Sequence, residues 1–96
     1  CGIVRGDQDR FAVQSHQRAA QAWSQGAFTA EVLPITVGSG AKAKTIAQDE
    51  GVRADSNLEG MAKLKAAFCE GGSVTAGNAS MLSDGAAAVA VASQRG

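Results

Sequence analysis

Three side chains in this chain of 96 residues invite a chemical reading first: Cys1, Cys69 and the single imidazole, His16. A thiol becomes a nucleophile where a helix amino terminus or a neighbouring cation favours the thiolate. Cys1 stands before Gly2, ahead of the first helical pattern, and Cys69 leads into the turn Glu70-Gly71-Gly72. Neither has such a neighbour by motif, and both read as ordinary thiols. An imidazole is a ready base near neutral pH, yet no cysteine or carboxylate is paired with His16 by motif. It lies beside Gln17 and Arg18 and reads as a solvated histidine on a helix face. Two cysteines make no disulfide framework, and with one histidine they give no zinc spacing.

A denser run of candidates follows residue 73. Gly77, Asn78, Ala79, Ser80, Ser83 and Asp84 come in close succession. Small residues let a backbone approach a ligand, and a few hydroxyls and amides then fix its orientation. The plainer reading is that Asn78, Ser80 and Asp84 satisfy the backbone of their own loop. The residue types allow both.

The elements that would position these groups come from periodicity and breakers. Phe11, Ser15, Ala19 and Trp23 recur every four residues, with Ala12, His16 and Ala22 beside them, which predicts an amphipathic helix over 7–25. Gly6 or Asp7 would cap it, and Gly26 would end it. Residues 31–37 are rich in β-branched side chains and predict a strand, with Pro34 confining it to an edge or a bulge. Gly38-Ser39-Gly40 breaks the chain, and 44–47 is expected to return as a hairpin partner. A second helix is expected over 57–67, opened by a capping box of Ser56 and Glu59. Leu58, Met61, Ala62 and Leu64 would be its apolar face. Residues 85–93 carry no charge, and their Ala and Val content leaves helix and doubly buried strand both open.

Composition limits what such elements achieve alone. The chain has eight Val, three Ile, four Leu and three Phe, so much of its 45% apolar content is alanine. With a formal charge of zero it does not fit the disordered class, but it is poorly supplied with core residues. A chain this poor in bulky side chains is expected to lean on partner chains or further sequence. Dispersed Lys and Arg argue against nucleic acid or an acidic membrane surface, and no apolar run is long enough for a membrane span. One small domain's worth of sequence is present.

Val74-Thr75-Ala76-Gly77-Asn78-Ala79-Ser80, followed by Ser83-Asp84-Gly85-Ala86-Ala87-Ala88, resembles the thiolase family. So do Gln8-Asp9 leading into Phe11-Ala12-Val13, Ser15-His16-Gln17-Arg18-Ala19-Ala20, Glu31-Val32-Leu33-Pro34-Ile35, Asp49-Glu50-Gly51-Val52-Arg53 and Leu58-Glu59-Gly60-Met61-Ala62-Lys63-Leu64-Lys65. The motifs stand in the family's order and cover about 7–93. The resemblance implies an α/β fold of two similar halves, each on a mixed sheet, with a loop domain inserted into the first. Residues 1–72 would belong to that loop domain. Residues 73–96 would be the loop facing coenzyme A (CoA) and the last strand of the first half, which resolves 85–93 towards strand. Asp49 to Arg53 and Leu58 to Lys63 look more like the degradative 3-ketoacyl-CoA branch than the biosynthetic one.

Thiolases transfer acyl groups between CoA thioesters through an acyl-cysteine, a form of nucleophilic catalysis. The resemblance implies that this chain is an internal piece with no catalytic residue and no metal, inactive alone, with CoA as substrate and no further cofactor. Its partners would be acyl-CoA or CoA and the rest of a thiolase, a homo-oligomer, with neither nucleic acid nor a membrane span. The compartment stays open: cytoplasmic in bacteria, or peroxisomal or mitochondrial. Ser80 matches the family serine that hydrogen-bonds the pantetheine arm, with Ala76 and Ala79 giving close approach. Arg53 matches an arginine lying against the nucleotide phosphates, a task suited to a guanidinium. Gly60 departs from the pattern, because some relatives place there a serine that touches the nucleotide end. A free-standing protein that binds acyl-CoA or a partner without catalysis is the alternative expectation.

Overall fold

Arg5 reaches from the first helix to the carbonyls of Met61, in the second, and Leu64, just beyond it, and so ties the two helical segments together. The computed structural model describes residues 1–95. Helix α1 spans Arg5–Ser24, strands β1 (Ile35–Val37) and β2 (Lys44–Ile46) form an antiparallel pair, and helix α2 spans Leu58–Ala62.

α1 begins slightly earlier than its periodicity predicts. Val4 occupies the N-cap in extended conformation and makes no side-chain cap bond, so neither Gly6 nor Asp7 caps the helix. It ends as expected. Gly26 takes φ +70°, its N–H donates to the Trp23 carbonyl (3.1 Å), and the Ala27 N–H donates to the Ala22 carbonyl (3.0 Å). This is a Schellman end, which needs a residue free of the left-handed penalty. The packed face is largely the expected one, with Ala12, His16, Ala19, Ala22 and Trp23 half-buried, but it is turned enough that Asp9 and Val13 are buried while Phe11 is 74% exposed. Polar anchors at Arg5, Gln8 and Asp9 choose which face of α1 meets the rest of the chain, and Phe11 is rotated outwards.

The hairpin forms with Thr36 opposite Thr45, their hydroxyls 2.9 Å apart. It is shorter than expected. Glu31 and Val32 donate their N–H groups to the Phe28 carbonyl in a turn, so only the residues after Pro34 enter the ladder. Gly38 (φ +84°) and Gly40 (φ +59°) flank the reversal, with a 3-10 turn over Gly40–Lys42.

α2 starts at Leu58, one residue later than expected, with its cap likewise moved by one. The Asn57 Oδ1, in place of Ser56, accepts the Gly60 N–H at 2.8 Å, and Glu59 pairs instead with Lys63 (3.3 Å). The helix stops at Ala62, short of residue 67. Gly60 weakens it from within, and beyond it Ala66 bridges to Thr75 while the Ala67 N–H donates to the Val74 carbonyl.

Residues 85–93 form neither helix nor strand, and all are exposed. The strand expected there has no ladder partner, and a strand without one leaves its backbone to water. Val13 and Met61 are the buried apolar residues among those described. A compact protein of this mass would expose about 5,100 Å²; this chain exposes 8297 Å². Its radius of gyration is 18.5 Å, against about 12–13 Å for a compact domain of this length. Among the described residues no helix is long and apolar enough to cross a membrane, and no cluster of His, Cys, Asp and Glu is placed to hold a metal ion.

Candidate functional site

One open groove of about 1150 Å³ runs between α1, the connection before α2, α2 itself and the small-residue loop after residue 73. Arg53, Ala76, Ala79 and Ser80 all line it, joined from α1 by Phe11 and His16. Residues far apart in sequence therefore share one concavity. Ser80 is exposed, and among the described residues its hydroxyl has no hydrogen-bond partner within the chain. The Arg53 side chain is also exposed and makes no ion pair among the described residues. Both polar heads are available to a molecule in the groove.

The walls are held by polar contacts that periodicity does not reveal. The Arg53 backbone N–H donates to His16 Nδ1 at 3.2 Å. His16 thus helps seat the Arg53 connection against α1, where the residue pattern gave only a solvated face. Thr75 is fully buried, and its Oγ1 accepts the N–H groups of Gly77 (3.2 Å) and Asn78 (3.3 Å). The Asn78 Oδ1 accepts the Thr75 N–H at 2.7 Å. This reciprocal turn folds Ala76 and Gly77 over α2. A Cβ added at Gly77 would meet the Leu64 Cδ1 at 2.6 Å and collide with the Met61 thioether, so glycine there permits the close approach.

Gly60 lines the same groove, and its N–H is taken up by the Asn57 cap. A Cβ at this position would lie 3.3 Å from the Asn57 Oδ1, tighter than an ordinary contact. Cys1 and Cys69 are exposed free thiols, and neither lines the groove.

Residues 1–95 match the family model described as the N-terminal domain of thiolase. The chain belongs to the thiolase family. The peroxisomal 3-ketoacyl-CoA thiolase B of Rattus norvegicus is 53% identical, over 95% of this chain and 23% of that relative. The crystal structure of the Bacillus anthracis acetyl-CoA acetyltransferase matches with a TM-score of 0.78 at 45% identity, covering 83% of this chain and 20% of that one. The human mitochondrial 3-ketoacyl-CoA thiolase crystallised in complex with CoA matches with a TM-score of 0.72 at 42% identity, covering 81% and 19%. This chain spans less than a quarter of the length of these thiolases. Its two helices and two-stranded sheet are a small α/β fragment of the thiolase fold.

Proposed function

We propose that this chain supplies part of the CoA-facing wall of a thiolase that moves acyl groups between CoA thioesters, on the degradative 3-ketoacyl side. The observation that carries the reading is the convergence of Ser80, Ala79, Ala76 and Arg53 on one groove. Pantetheine is a thin chain with two amides, and it suits a slot walled by small residues with a hydroxyl to meet an amide. Arg53 offers a planar cation at the other end, suited to phosphate oxygens. In the intact enzyme, residues 1–72 would lie in the loop domain and 73–96 would return to the first half. The remainder of the thiolase, itself a homo-oligomer, would close the groove and provide the nucleophile and the base. The similarity to a 3-ketoacyl-CoA thiolase supports the degradative side.

The test is Ser80→Ala in a complete thiolase carrying this segment. Loss of one neutral hydrogen bond is worth about 1 kcal/mol, so KM for the CoA substrate should rise about five-fold with kcat nearly unchanged. A kcat that collapses by several decades at constant KM would make Ser80 a catalytic group and overturn the reading.

A further inference from the structure

Among the described residues the Ser80 side chain makes no bond of its own to the chain, so its place is set by the residues just before it. Asn78 is the last of these with a fixed side chain, and that side chain is fully engaged. Its Oδ1 accepts from the Thr75 N–H, and its Nδ2 donates to the Ser73 carbonyl (3.0 Å) and to the Asp9 Oδ1 (2.9 Å). Asp9, only 4% exposed, is the partner that lies outside the loop. Its carboxylate also accepts the Arg5 Nε–H at 3.0 and 2.8 Å. The Arg5 Nη2 then donates to the carbonyls of Met61 (2.7 Å) and Leu64 (2.9 Å), which follow the groove-lining turn of α2. One partly buried chain of polar contacts therefore joins α2, α1 and the segment that ends in Ser80. Gln8 adds a second tie, its Nε2 donating to the Ser73 Oγ at 2.9 Å.

We infer that Asp9, acting through Asn78, is a positioning residue that sets where Ser80 stands in the groove, with Arg5 fixing the carboxylate against α2. The inference rests on the reading of Ser80 as the pantetheine contact. Charge-assisted bonds to a buried carboxylate are short and directional, which suits them to fixing a loop. A chain of such bonds inside a protein also loses more than one pairwise contact when a member is removed. Asp9 touches no ligand in this account. It acts only by holding Asn78.

The experiment uses a complete thiolase carrying this segment and a double-mutant cycle. Asn78→Ala should raise KM for the CoA thioester about five-fold and leave kcat within about two-fold. Because Asn78 acts through Ser80, adding Ser80→Ala should raise KM little further. Asp9→Ala should follow Asn78→Ala, whereas Asp9→Asn, which keeps an acceptor for the Asn78 amide but loses the charge and turns a donor towards the Arg5 Nε–H, should fall between the parent and Asp9→Ala. Should Asp9→Ala fail to fold, the cycle between Asn78→Ala and Ser80→Ala still decides. KM effects that multiply in the double variant would show a merely structural role and overturn the inference. So would an unchanged KM in Asn78→Ala beside a raised one in Ser80→Ala, and in both cases the CoA reading survives. An unchanged KM in Ser80→Ala itself would remove the CoA reading and this inference together.

Discussion

Asn78 and Val91 belong to neighbouring stretches of the chain, yet they meet opposite physical conditions. Every polar atom of the Asn78 side chain has a partner inside this sequence, drawn from Asp9, Ser73 and Thr75. Val91 is 94% exposed, in a run from Met81 onward in which every described residue is exposed. Polar satisfaction is short-ranged and was completed with a handful of residues. Apolar burial needs area, and among the described residues nothing packs closely enough on 81–93 to bury them. This chain therefore holds its hydrogen-bonded junction while its Ala- and Val-rich stretch stays open.

The comparison breaks most visibly if the chain works alone. Incubated with a 3-ketoacyl-CoA and free CoA, it should show no thiolysis and no acyl transfer to Cys1 or Cys69, a deficit of many decades of rate. Mass analysis of the thiols checks this; turnover abolished by Cys69→Ser would mean that a nucleophile exists here after all. Next in size is Val91→Asp. In a complete thiolase it should cost on the order of 4 kcal/mol or more, because an unpaired carboxylate would enter a buried strand. In the chain alone the same change should leave circular dichroism and melting unaltered. Equal tolerance in both settings would show that 85–93 is not a core strand of the whole enzyme.

On the junction side the expected effects are smaller. Gly77→Ala should cost about 1–3 kcal/mol in denaturant melts of the complete enzyme, as the new methyl pushes on Met61 and Leu64. The yielding atoms are the ends of flexible side chains, which favours the lower part of that range. A neutral result would mean that the loop is not pressed on α2. The smallest effect belongs to the hairpin. Thr45→Ala removes one exposed cross-strand hydroxyl pair with Thr36 and should cost about 0.2–1 kcal/mol.

What the sequence made legible follows the same division. The helix over 7–25 and its glycine stop were readable because one helix face and one C-terminal breaker suffice to mark them. The hairpin was readable from β-branched residues around Gly38 and Gly40. The Ser56 capping box was misread because Asn57, the next residue, is an equally good cap and presents its oxygen to Gly60. Hydrophobicity alone puts Phe11 on the inner face, whereas Arg5, Gln8 and Asp9 choose the face in the fold. The bond between Asp9 and Asn78 spans most of the chain, and no local period records it. A charged residue on an apolar-facing turn, here Asp9 four positions before Val13, is the signal that could have raised it. The convergence of Arg53 with Ser80 came from ordered family motifs rather than from periodicity.

Trp23 gives the molecule a built-in optical reporter. It is the single tryptophan, its ring centroid lies 5.1 Å from that of Phe28, and it lines a small hollow with Asp49, Val52 and Ala54. The Nε1 atom is buried and has no partner among the described residues. Indole emission shifts with the polarity around the ring, so a lone indole in this position should report any change in how Phe28 and the connection carrying Arg53 pack on the end of α1. Fluorescence from this residue would follow that packing in real time, with no competing tryptophan and no label.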